Sequence, residues 1–113
     1  MKIINTAIEG VYIIEPQVFE DNRGYFFESY NKQKMDEAGL KYDFIQDNQS
    51  MSKYGTIRGI HFQKGDFAQA KLVRVLEGTV LDVAVDLRKG SKTFGTVSYT
   101  HLRAHEPAAN LVC

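Results

Sequence analysis

Nine glycines divide this chain into short runs of β-branched and aromatic residues, and that punctuation limits its fold more than any other feature. Such runs, bounded by turn-forming residues, read as strands. The clearest pair is residues 71–76, from Lys71 to Leu76, and residues 79–86, from Thr79 to Asp86, with Glu77 and Gly78 between them. Glu-Gly serves as a tight hairpin turn, though a weaker one than Asn-Gly. Residues 11–14 (Val11, Tyr12, Ile13, Ile14) form another strand. Asp21, Asn22, Arg23 and Gly24 make a turn, and residues 25–30 an aromatic strand after it. Residues 44–49 read as extended and polar, and residues 56–62 as a strand carrying His61. Residues 88–91 are a turn and residues 93–97 a further strand. One short helix is expected over residues 31–38, with Gly39 in its C-terminal cap. The expected architecture is all-β, a sandwich or barrel with one marginal helix.

Length allows one domain at most, since the chain has 113 residues. Lys and Arg together number 14, as do Asp and Glu, so no global field draws the chain to nucleic acid or to an acidic membrane surface. Any anion site is therefore local. No apolar run approaches a membrane span, and Met1 to Ile4 is followed at once by polar residues, unlike a signal peptide. The single cysteine, Cys113, excludes a disulfide framework within the chain and fits a reducing cytoplasm. There is no linker, internal repeat or low-complexity tract. From Tyr99 onward the composition shifts to Ala, His and Arg without clear alternation. Residues 98–113 are expected to be a tail foreign to the domain, disordered or artefactual.

Chemistry concentrates in residues 55–63, where Arg58 and His61 lie three positions apart, and at Lys71. His61 is the one histidine of the three embedded in a strand pattern. A lone imidazole among fixed cations suits proton abstraction beside a carbonyl. A metal site needs more ligands close by. His61-Phe62-Gln63 offers one ligand, and the next glutamate is Glu77 in a turn. No metal and no cofactor are expected.

From Tyr12 to about Gly95 the chain resembles the dTDP-4-dehydrorhamnose 3,5-epimerase family, whose fold is a cupin-type jelly roll. The match is carried by residues 21–26 (DNRGYF), 46–48 (QDN), 57–63 (IRGIHFQ), 69–76 (QAKLVRVL) with Gly78, and 82–88 (DVAVDLR) with Thr93, Phe94 and Gly95. The resemblance implies that residues 1–97 form the N-terminal part of such a domain, with roughly the last two or three strands absent. It implies a dTDP-linked 4-keto-6-deoxy sugar, epimerised at the two carbons beside its ketone for rhamnose precursor synthesis. His61 would then be the base and Lys71 the stabiliser of the developing enolate. Arg23, Phe26, Glu28, Gln46, Asn48, Arg58 and Lys71 would hold the nucleotide sugar, arginine suiting phosphate through its planar fork. The family's proton donor, a later tyrosine, lies beyond the matched region, and Tyr99, His101 and His105 do not match it. The resemblance also implies a homodimer whose N-terminal strands exchange, so that Arg23 and Glu28 serve the partner's site.

Each of these residues also has an ordinary structural role open to it. A histidine on a strand is commonly a packed residue. Lys71 suits a guard on an edge strand. Arg23 fits an exposed turn and Glu28 a surface charge. Gln46 and Asn48 suit turns bonded to their own backbone, and Tyr25, Phe26, Phe27 and Tyr30 suit a core or a dimer interface. Asp82 and Asp86 are four apart and share a strand face, where a carboxylate could orient His61 or belong to a polar sheet edge. Two other readings stand beside the epimerase. One is a same-fold isomerase that moves the keto group or inverts a single carbon. The other is an inactive fragment that at most binds dTDP-sugar, because a sandwich without its closing strands exposes edges and a core face.

Overall fold

The structure, a computed structural model, describes residues 1–104 and 109–112. His105, Pro107 and Cys113 lie outside the described residues. Among the described residues eight strands and one short helix follow in chain order: β1 (Lys2–Asn5), β2 (Val11–Glu15), β3 (Val18–Asp21), β4 (Gly24–Phe27), α1 (Lys32–Glu37), a 3-10 turn (Gly65–Phe67), β5 (Lys71–Arg74), β6 (Thr79–Val85), β7 (Val97–Arg103) and β8 (Ala109–Val112). The fold is a jelly-roll type of all-β domain, as expected. Its largest sheet has the order β1-β2-β8-β5, while β3-β4 and β6-β7 pair as separate antiparallel hairpins.

Pairing departs from expectation at residues 71–86. β5 and β6 do not form a hairpin together. β5 pairs with β8, Lys71 opposite Val112 and Arg74 opposite Ala109, whereas β6 pairs with β7, Thr79 opposite Arg103 and Val85 opposite Val97. Glu77 and Gly78 carry the chain from one sheet to the other, and the Gly78 carbonyl accepts the Ala104 N–H at 3.0 Å. Two adjacent β-branched runs promise two strands, but ladder partners are chosen by sheet closure, a non-local matter.

The stretch expected to be a foreign tail, residues 98–113, carries strands in the structure. β7 and β8 lie within it, and β8 sits between β2 and β5 in the largest sheet. β7 does alternate: Thr100 and Leu102 are buried while Tyr99, His101 and Arg103 are exposed. The inward set includes Ser98 and Thr100, so the period was hidden from a hydropathy reading. Likewise residues 93–97 do not form a strand. Residues 92–95 turn, and β7 begins only at Val97.

The helix is built by its caps. Asn31 is the N-cap, its side chain accepting the Lys34 N–H at 3.1 Å. At the other end Gly39 takes φ +84°, its N–H bonding the Asp36 carbonyl at 3.0 Å while Leu40 N–H reaches the Met35 carbonyl at 2.9 Å. This is a Schellman motif, and it delivers Leu40 beside Met35. Those two side chains join Ile14 and Leu111 in the buried cluster, against which Ile3, Tyr12, Tyr42, Phe44 and Leu72 pack. Each such side chain removed from water contributes about 1.5–3 kcal/mol, and β8 thereby seals the helix onto the sheet.

Residues 56–62 do not form the expected strand. The segment is exposed, Ile57 at 93% and Ile60 at 74%, and Gly59 at φ +125° interrupts its alternation. Apolar content alone makes no strand. A strand needs a neighbour to take its N–H and C=O groups, and none lies alongside among the described residues. Residues 44–49 have no ladder among the described residues, Ile45 being almost wholly exposed.

Candidate active-site residues and their surroundings

The tip of the β3-β4 hairpin is closed by Asp21 and Arg23. Asp21 Oδ1 accepts the Arg23 backbone N–H at 2.8 Å, as the short side chain of an Asx turn does. The Arg23 guanidinium returns to the same carboxylate, Nη2 to Oδ2 at 2.6 Å and Nε to Oδ1 and Oδ2 at 3.3 and 3.2 Å. The Arg23 guanidinium and then its backbone N–H hold the Asp21 carboxyl below its usual range. At the other end of β4, Glu28 receives Lys34 Nζ at 2.9 Å and Asn31 Nδ2 at 3.1 Å. Lys34 first, then Asn31, holds its carboxyl low as well.

Phe26 and Glu28 are two apart and line one cavity of about 170 Å³, together with Tyr30, Lys34, Met35 and Leu72. Phe26 also borders a cleft of about 290 Å³ shared with Tyr25 and Arg74. There the Arg74 guanidinium lies 5.7 Å from the Phe27 ring centroid, within cation–π range. The structure thus brings Phe26 and Glu28 together. Neither cavity includes Arg23, Arg58, His61 or Lys71.

Gln46 and Asn48 meet each other. Gln46 Nε2 donates to Asn48 Oδ1 at 3.2 Å, so they bond side chain to side chain instead of capping their own backbone. Arg58 and His61 are exposed on residues 56–62 and make no hydrogen bond or ion pair with another described residue. Lys71 opens β5 with its side chain exposed. The imidazole and both cations are therefore uncommitted to partners among the described residues. Among these residues no cluster of three His, Cys, Asp or Glu side chains could hold a metal ion.

Asp86 does not orient His61. Its buried carboxylate takes Arg88 Nε and Nη2 at 3.0 Å each, Ser91 Oγ at 2.7 Å and Thr93 Oγ1 at 2.6 Å. Every strong donor it faces belongs to its own loop. Asp82 lies on β6 opposite Thr100. The reading of the sequence missed two groups, Asp21 and Lys34, that hold candidate residues in place. The Asp-x-Arg spacing in the turn and the helical i, i+3 step from Asn31 to Lys34 are the signals that could have found them.

The family model described as dTDP-4-dehydrorhamnose 3,5-epimerase matches residues 5–112. The Salmonella typhimurium protein of that name is 58% identical over 96 residues, which cover 84% of this chain and 52% of that relative. The crystal structure of the same enzyme from Elizabethkingia anophelis superposes with a TM-score of 0.94 at 54% identity, covering 100% of this chain and 62% of that one. A Legionella pneumophila epimerase in complex with dTDP-4-keto-L-rhamnose superposes with a TM-score of 0.90 at 43% identity, covering 98% of this chain and 59% of that one. The chain spans about half the length of the curated relatives it matches.

Proposed function

This chain belongs to the dTDP-4-dehydrorhamnose 3,5-epimerase family, and from that premise we propose that it carries the proton-abstracting half of a keto-sugar epimerase site. The substrate is dTDP-4-dehydro-6-deoxy-D-glucose, inverted at C3 and C5. The observation that carries the reading is the family match over residues 5–112, which includes the motifs quoted above that carry Arg58 and His61 and, separately, Lys71. The Legionella structure that holds dTDP-4-keto-L-rhamnose supports the choice of ligand.

In the proposed mechanism His61 takes the proton from the carbon beside the ketone. The C–H electron pair moves into the C–C bond, and the carbonyl π pair moves onto the ketone oxygen. Lys71 places an ammonium beside that oxygen as its charge develops. Such preorganised stabilisation acts in the transition state, and loss of one donor lowers the rate by about 10²–10³-fold. Positioned proton transfer contributes about 10²–10⁴-fold. Inversion then needs a proton delivered to the opposite face, a task that the family resemblance gives to a tyrosine absent from the matched motifs. Arg23 and Arg58 bind the diphosphate, Gln46 and Asn48 the polar sugar and base edges, and Phe26 and Glu28 frame the nucleotide. No cofactor takes part.

A homodimer is part of the proposal. It is supported by the β3-β4 hairpin, whose cross-strand partners Phe19 and Phe26 are both more than half exposed, since adjacent exposed aromatics mark association surfaces. The single cysteine supports a reducing, cytoplasmic setting. Incubating the chain with the keto sugar nucleotide in D₂O tests the central step, because hydrogen exchange beside the ketone needs only the base. Deuterium entering C3 and C5 is expected. Entry at one carbon alone makes this a single-carbon epimerase, and no entry at either overturns the reading.

A further inference from the structure

We propose that Asp21 is a positioning residue for the nucleotide diphosphate, acting by fixing the direction in which Arg23 presents its guanidinium. This inference rests on the reading above in one respect, that Arg23 meets the diphosphate.

A guanidinium has two edges able to bind an anion bidentately. One is formed by Nε and one terminal nitrogen, the other by the two terminal nitrogens. Asp21 occupies the first, with Nη2 at 2.6 Å and Nε at 3.2 Å from Oδ2. The second edge keeps the Nη1 hydrogens and the other Nη2 hydrogen, and Arg23 is 91% exposed at its side chain. The open edge is therefore aimed into solvent at the hairpin tip, shaped for two phosphate oxygens. The Asp21 side chain is itself fixed, because its Oδ1 closes the turn on the Arg23 N–H at 2.8 Å. One carboxylate thus sets both the backbone and the side chain of the same arginine.

Two effects of that carboxylate on phosphate binding oppose each other. Its negative charge repels an incoming phosphate. Its grip removes in advance the rotamer freedom that a free arginine loses on binding. At an exposed, well-solvated tip the Coulomb repulsion is weak, so the second effect decides the outcome. Removing Asp21 should weaken phosphate binding, although the change makes the site more positive.

Asp21→Asn separates the two jobs of the residue. Asparagine still closes the turn through its Oδ1, and the hairpin keeps its shape. It loses the charge-assisted grip on the guanidinium. The test measures dTDP affinity by titration calorimetry, together with the ¹⁵N-detected Arg23 Nε–H signal, for the chain and for Asp21→Asn, Arg23→Ala and the double variant. Expected are a dTDP affinity lowered by roughly three- to tenfold in Asp21→Asn, a broadened or exchange-averaged Nε–H signal, and no further loss when Asp21→Asn is added to Arg23→Ala. Equal or tighter binding by Asp21→Asn overturns the inference and leaves the function reading intact. So does a further loss in the Arg23→Ala background, which would show a structural effect only. Absence of dTDP binding by the chain itself overturns the function reading and the phosphate role of Asp21 with it.

Discussion

Arg88 Nε lies 3.0 Å from Asp86 Oδ1, and the same guanidinium reaches through Nη2 to the Glu9 carbonyl at 2.7 Å. One side chain thus ties the loop after β6 to the turn between β1 and β2, 79 residues away. Asp86 is the anchor. Arg88 first, then Thr93 and Ser91, holds its carboxyl well below the usual carboxylate range.

The sign of the pH dependence follows from that depression. A carboxyl with a lowered folded pKa adds stability above its unfolded value, here 3.8, and loses it as pH falls toward the folded value. Thermal melts of the chain and of Asp86→Asn should therefore differ most near neutral pH and converge below pH 3.8. A difference that stays constant into acid would remove Asp86 from the acid response.

Leu102 on β7 and Leu111 on β8 are 1% and 0% exposed. Leu→Ala at either position should cost about 2–5 kcal/mol in chemical denaturation. Were residues 98–113 outside the domain, both would fall within about 0.5 kcal/mol of the parent chain, as surface changes do.

The helix caps predict smaller losses. Asn31→Ala removes the side-chain acceptor of the Lys34 N–H and should cost about 1 kcal/mol. Gly39→Ala forces a Cβ into φ +84° and should cost about 1–2 kcal/mol. Nothing lies within 4 Å of that added Cβ, so the loss would come from backbone strain alone. Denaturant midpoints with unchanged slopes would verify both.

Amide exchange should separate the sheet from the segment carrying Arg58 and His61. Amides of residues 57–62 have no ladder partner among the described residues and should exchange near the rate of an unfolded peptide, while those of β2 and β8 are protected. Addition of dTDP should slow exchange at Arg58 and His61 if both meet the ligand, and unchanged rates there would count against their assignment.

For the base itself, His61→Asn should lower deuterium entry beside the ketone by roughly 10²–10⁴-fold, and Lys71→Met by roughly 10²–10³-fold. Unchanged exchange in His61→Asn would sink the assignment of the base.

Several of these elements can be read directly in the residues. The helix from Asn31 to Gly39 and the turn from Asp21 to Gly24 depend on contacts within a few positions, so capping and turn chemistry determined them locally. The motif residues that carry the family likeness were likewise visible, because they are residue types at fixed spacings. What could not be read was partnership. Residues 71–76 and 79–86 looked like one hairpin, yet β5 went to β8 and β6 to β7.

Residues 98–103 looked foreign because the inward positions of β7 mix Ser98 and Thr100 with Leu102. Residues 56–62 looked like a strand because they are apolar. Asp86 was open to orienting His61 or to a polar sheet edge, and Arg88, Ser91 and Thr93 surround it. By itself, then, the sequence determined the all-β character, the caps and the motifs that carry the family likeness. Only the tertiary structure decided which strands pair, which segment is left without a partner, and which carboxylate holds which arginine. The reason is physical: caps and turns are satisfied within a few residues, whereas ladders and buried charges are satisfied by groups that folding alone brings together.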